Sequence, residues 1–136
     1  MAATVEQACA AKLAASTAVT DVVGPRIYPA FNTQEPVFPE IVFTKLGGEA
    51  ISSTMGRGTG RGPKSFTVRF DCYAATEAES QALGKLVEDA ITPGGVPWRD
   101  LAEGVQGAFF SDSSQEFTQD GVRFQAVTFT VIFSPP

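Results

Sequence analysis

Several groups of residues in this sequence have types and spacings that chemistry could use. Gly58-Thr59-Gly60-Arg61-Gly62-Pro63-Lys64-Ser65 offers the glycines, lysine and hydroxyl of a loop that cradles phosphates on its backbone N–H groups. Pro63 separates Gly62 from Lys64 and breaks the Gly-Lys-Ser/Thr order, and the stretch leads into a strand pattern where a phosphate loop would open a helix. The dinucleotide pattern G-x-G-x-x-G also fails, because Arg61 stands where the third glycine should follow Gly56 and Gly58. A flexible tip is the plainer expectation. The acid pairs Glu77 with Glu79 and Glu88 with Asp89 could be proposed as acid and base, yet their helical pattern puts them on or near the solvent side. Cys9 and Cys72 fall on predicted core faces of different elements, so small buried thiols are favoured over a disulfide or a reactive site. Phe66 and Phe70 could stack bases, but their phase is that of the face a helix must cover.

Histidine is absent, which removes the commonest general base and the commonest zinc ligand. Serine is plentiful, but no G-x-S-x-G elbow occurs and a triad would need an unusual base. Metal-ligand spacing is missing too. No catalytic residue, cofactor or metal is therefore assigned. The net charge of -5 disfavours binding nucleic acid across a broad face, although an acidic body can surround DNA that must slide past. Hydrophobic residues make up 43% and charged ones only 18%, which hints at surface covered by neighbours. No basic region precedes an apolar run at the N-terminus and no stretch approaches membrane-spanning length, so the chain is expected in the cytosol unless it leaves inside something larger.

The elements that position these residues are organised around Ser65 to Ile91. Phe66, Val68, Phe70 and Cys72 alternate with Thr67, Arg69, Asp71 and Tyr73, the period of a half-buried strand. The period then changes: Leu83, Leu86, Val87, Ala90 and Ile91 line one stripe of a helix that starts at the capping pair Thr76/Glu79 and stops at Pro93-Gly94-Gly95. Folding that helix back on the strand buries both apolar faces, and Leu83, Leu86, Val87 and Ile91 should contribute about 1.5 to 3 kcal/mol each.

Upstream, Thr4 to about Ala18 predicts a helix with Thr4 and Gln7 as a capping pair and Val5, Ala8, Cys9 and Leu13 as its stripe; a short second turn is possible around Val19 to Val23. This helix could dock on its own sheet or lie across a neighbour. Arg26 to Pro39 is a proline-rich connector, over the edge of the core or reaching out as an arm. Glu40 to Leu46 predicts the first strand. Residues 47–64 then predict a long flexible loop, anchored only by Ile51 and Met55 and carrying the cations Arg57, Arg61 and Lys64. After the central helix, Trp98 lies in an irregular link, as a plug at the end of the core or as an exposed anchor for another protein. Asp120-Gly121 predicts a two-residue hairpin turn that sets Phe117 opposite Phe124 and Phe110 opposite Val131. The last strand, ending near Phe133, is hardly polar on either face, which suits a strand covered on both sides.

The expected fold is a single α+β domain over residues 1–136, with an antiparallel or mixed four-stranded sheet, two helices packed on it and a long loop between the first two strands. Met55, Arg57, Arg61, Lys64 and Trp98 are its candidate partner-binding residues.

Arg26-Ile27-Tyr28-Pro29, Pro39-Glu40-Ile41-Val42-Phe43, the unit Phe66 to Ile91 with its Tyr73-Ala74-Ala75-Thr76-Glu77-Ala78-Glu79 corner, and the strand Val122 to Phe133 resemble, in order, the small tail-completion or tail-terminator proteins of long-tailed phages. The Gly/Arg loop has no counterpart in that resemblance. What the resemblance implies is a non-enzymatic subunit of a ring, commonly a hexamer, at the head-proximal end of the tail tube. The ring would stop tube polymerisation, meet the head-tail connector, and let DNA through its channel without specific binding. Six copies at -5 each would carry about -30 around that channel. The resemblance further implies synthesis in a bacterial cytoplasm and residence in the tail of a virion, a prophage remnant or a gene-transfer particle. The alternative is a small nucleic-acid-binding module that uses the basic Gly/Arg loop.

Overall fold

The computed structural model describes residues 4–29, 38–50, 64–117 and 123–134. The chain order is α1 (Val5–Ala14), α2 (Thr17–Val23), β1 (Ile27–Pro29), β2 (Glu40–Ala50), β3 (Lys64–Tyr73), α3 (Glu77–Ile91), β4 (Trp98–Asp100), β5 (Val105–Phe117) and β6 (Arg123–Phe133). The six strands form one sheet in the order β1-β2-β3-β6-β5-β4. It is mixed: β1 runs parallel to β2, and every other neighbouring pair is antiparallel. The α+β class is as expected, but the four-stranded, two-helix count is corrected to six strands and three helices among the described residues. The additions are short. β1 and β4 have three residues each and contain Pro29 or follow Pro97, so no alternation announces them. The first helix is also divided, because Ser16 turns to an extended ψ of 113° before α2 resumes.

The periodicities explain the layers. Thr4 Oγ1 accepts from the Gln7 N–H at 3.2 Å, and Thr76 Oγ1 from the Glu79 N–H at 3.2 Å, so both predicted caps open their helices. Val5, Ala8, Cys9 and Leu13 of α1 and Leu83, Val87 and Ile91 of α3 are buried together with Ile41, Phe43, Val68, Phe70, Cys72, Val127, Phe129 and Val131 of the sheet. The first helix thus packs on its own sheet. Phe70 and Phe129 meet edge to face with centroids 5.7 Å apart. Gly84 sits where α3 crosses β6: a Cβ there would lie 2.6 Å from Gln125 Cγ and 3.3 Å from a Val127 methyl.

Two expected boundaries move. The loop placed at residues 47–64 is shorter, because β2 continues through Gly47-Gly48 after a register shift to pair Glu49 with Ser65 and Ala50 with Lys64. The hairpin register also differs. Phe117 lies opposite Arg123, and Phe110 opposite Phe129, where Phe124 and Val131 were expected. Next to the turn the register is already one residue from the expected one, and the shift between Phe110 and Asp112 adds a second residue at Phe110; a one-residue slip exchanges the faces of a strand. Side chains hold this register. Gln115 Nε2 donates to Gln125 Oε1 at 2.9 Å and to the Phe124 carbonyl at 3.1 Å, while Gln125 Nε2 donates to Ser113 Oγ. The Asp120-Gly121 signal itself lies outside the described residues.

Candidate interaction surfaces

Several of the described groups with chemical potential are held by the fold. Cys9 and Cys72 are free and fully buried, and burial pushes the Cys9 thiol up to about 12 and the Cys72 thiol higher still. Neither is a thiolate at neutral pH. Glu77 pairs with Arg123, and Lys85 reaches Glu88 at 2.8 Å and Asp89 at 3.5 Å, so these acids belong to surface ion pairs. Among the described residues no group of three or more His, Cys, Asp or Glu is placed to hold a metal ion, and no helix is long and apolar enough to cross a membrane.

One polar cluster lies on the sheet face away from the helices. Asp71 is 5% exposed, with Oδ1 2.9 Å from Arg69 Nε and Oδ2 accepting from Arg69 Nη2 at 3.2 Å. The Nε–H is not aimed along its short contact, so that contact acts as an ion pair. Burial raises the Asp71 carboxyl above its ordinary range, and Arg69 opposes the rise without cancelling it. Beside it, Tyr73 stacks on Phe38 at 5.9 Å and packs against Phe124 at 4.8 Å, covering the lower part of β6 on its second face. Thr128, Thr130 and Ile132 farther along stay half-buried.

Two open grooves flank β4. One, of about 690 Å³, runs between α1 and the β4 end, with Gln7, Ala11, Lys12, Trp98, Asp100 and Glu103 among its lining. The other, of about 280 Å³, is lined by Glu88, Thr92, Gly95, Pro97, Phe109 and Phe110. Trp98 divides them. It is only 8% exposed and belongs to the core, with Lys12 Nζ 5.3 Å over its ring. Trp98 is therefore a plug whose rim lines a groove, the first of the two options its sequence position left open. Lys64 is half-buried at the start of β3, between Ala50 and Phe133. Met55, Arg57 and Arg61 lie outside the described residues.

The exposed apolar side chains lie elsewhere. Val96 is 63% exposed, Leu101 54%, Leu46 46%, and Phe109 and Phe110 43% each. A signal for one of them was present: of the adjacent Phe109 and Phe110 on one strand, only one can face the core. Val96 and Leu101 flank a strand too short to be announced, and so carried none.

This surface defines a class: an α+β chain whose described exterior offers apolar margins and shallow grooves, without an assembled catalytic cluster. The chain belongs to the tail completion protein gp17 family, whose sequence profile matches residues 7–133. It is thus a structural component of a virion tail. The same fold occurs in a chain of the virion of a native gene transfer agent particle, at 17% identity and a TM-score of 0.65, covering 96% of this chain and 94% of that one. It occurs also in the gp17 protein of bacteriophage SPP1, at 18% identity and a TM-score of 0.54, covering 95% and 88%. No curated protein matches the sequence significantly.

Proposed function

We propose that this chain, as a single domain over residues 1–136, is a non-enzymatic tail-terminator subunit. Copies of it close into a ring at the head-proximal end of the tail tube, end tube growth and present a surface to the head-tail connector. The observation that carries this is the family match over residues 7–133. The exposed apolar margins fit it, because such side chains call for a neighbour. The acidic balance of -5 suits a channel that DNA must traverse without adhering. In this role Arg57, Arg61 and Lys64 pair with acids on an adjacent copy or on the tube protein, and Met55 adds apolar contact. The nucleic-acid-binding alternative depends on a segment outside the described residues, and the same acidic balance weighs against it.

The test is deletion of the gene in the particle-producing cell. Filled heads should accumulate beside unattached tails of uncontrolled length, with complementation restoring joined particles. Normal particles without the protein would overturn the proposal. Replacing Arg57, Arg61 and Lys64 together with Ala should weaken ring docking, and unchanged docking would remove them from the interface.

A further inference from the structure

The two outer margins of the sheet are stepped, and the steps are complementary. On one margin β1 pairs only with Ile41–Phe43 of β2, so the outer side of residues 44–50 has no strand partner among the described residues. On the other, β4 pairs only with the start of β5, Trp98 opposite Ala108 and Asp100 opposite Val105, so the outer side of residues 109–117 has none either. The ladder fixes which end each step occupies. Glu40 is level with Tyr73, Phe124 and Glu116, while Ala50 is level with Lys64, Phe133 and Val105. β1 therefore fills one margin at the Glu40 end, and β4 fills the opposite margin at the Ala50 end.

Directions agree as well. β2, β3, β6 and β5 alternate, and β1 and β4 both run the way β2 does. A copy related by rotation about an axis along the strands keeps these directions. Its β1 would enter antiparallel against the open part of β5, while β4 of the first copy would lie along the open part of the second copy's β2. The two short strands would then share one column, end to end and in the same sense. Open strand edges invite such pairing. The apolar surface points to the same place: the large exposed hydrophobics among the described residues are Leu46 on one margin, Val96, Leu101, Phe109 and Phe110 on the other, and Val22 on the helix that leads into β1. Two different surfaces, each matching the other, make a head-to-tail contact that propagates.

We propose that the ring interface is this stepped junction, with the β4–β5 margin of each subunit seated on the β1–β2 margin of a second copy. The inference rests on the ring assignment above, and the experiment separates the two. Leu46 is level with Phe109 through Thr67 and Thr130, and Val96 precedes Trp98, the partner of Ala108, so positions 46 and 96 meet across the junction. Cys9 and Cys72 are fully buried and silent toward cross-linkers. Tails are assembled in cells whose sole copy of the chain carries Leu46→Cys and Val96→Cys, then treated with a short bismaleimide and run on a denaturing gel.

The double variant should give a ladder of multimers, co-assembled single variants should stop at dimers, and either single variant alone should remain monomeric. Dimers from one single variant alone would mean like-to-like pairing and overturn the junction. A double variant that stays monomeric in tails holding the wild-type amount of protein would overturn the junction and leave the ring standing. Wild-type tails with no copy, or one copy, of the chain would overturn both.

Discussion

On the helix side of the sheet Phe70, Val87 and Phe129 have no exposed surface, whereas along the margins Val96, Leu101 and Phe110 remain 43–63% exposed. The same strands contribute to both regions. In the first, each apolar side chain is covered within the chain, through α1 and α3; in the second it stays partly uncovered, Phe110 even though its ring meets Phe129 at 5.9 Å. Stability and association are thereby divided between two parts of one sheet, and substitutions should affect them separately.

The largest effect on that comparison should come from Phe70→Ala, which removes a ring contacting Phe43 and Phe129; chemical denaturation should show a loss of about 3–5 kcal/mol. Next is Gly104→Ala. Gly104 has φ of 85°, its carbonyl accepts from the Ser134 N–H at 2.8 Å, and an added Cβ would come within 2.7 Å of the Ser134 carbonyl oxygen. About 1–3 kcal/mol should be lost, read in the same way. Thr76→Ala deletes the α3 cap and should cost about 1 kcal/mol, with helix content lost first at that end by hydrogen exchange. At the margin, Leu46→Lys or Val96→Lys should move stability by no more than about 0.5 kcal/mol while preventing incorporation into tails, measured by copy number per particle. A margin variant that unfolded the chain, or a core variant that retained full stability, would break the division.

The smallest effect concerns the covered side of the sheet opposite the helices. Because burial raises Asp71 in the folded chain, the folded state keeps a proton that the unfolded state has already released. Its contribution is therefore favourable below the ordinary carboxylate range and is lost as pH rises through the raised value. Denaturation of wild type and Asp71→Asn across that window should differ in slope, with wild type falling more steeply toward higher pH. Parallel curves would show that Arg69 compensates for the burial.

The helix side was legible because its signals are local and periodic. Val5, Ala8, Cys9 and Leu13 repeat at helical spacing, Phe66 to Cys72 at strand spacing, and both caps need only four residues to declare themselves. The margins were not legible for the opposite reason. A three-residue strand has no period, and its pairing depends on which longer strand is left open beside it. The register of β5 on β6 was missed because the shift between Phe110 and Asp112 and the Gln115–Gln125 contact decide it, and neither has a sequence pattern of its own. Of the candidate partner-binding residues, Trp98 proved ambiguous in sequence because a buried plug and a contact residue are the same amino acid in the same kind of link.

The buried thiols have an experimental use. Cys9 belongs to the helical layer and Cys72 to the central strand β3, and each stays protonated while enclosed. A trace of thiol reagent added under native conditions would modify each sulfur only when its own surroundings open. Faster modification at Cys9 than at Cys72 would mean that the helices lift away while the strands remain joined. Equal rates would mean that both layers come apart in one event.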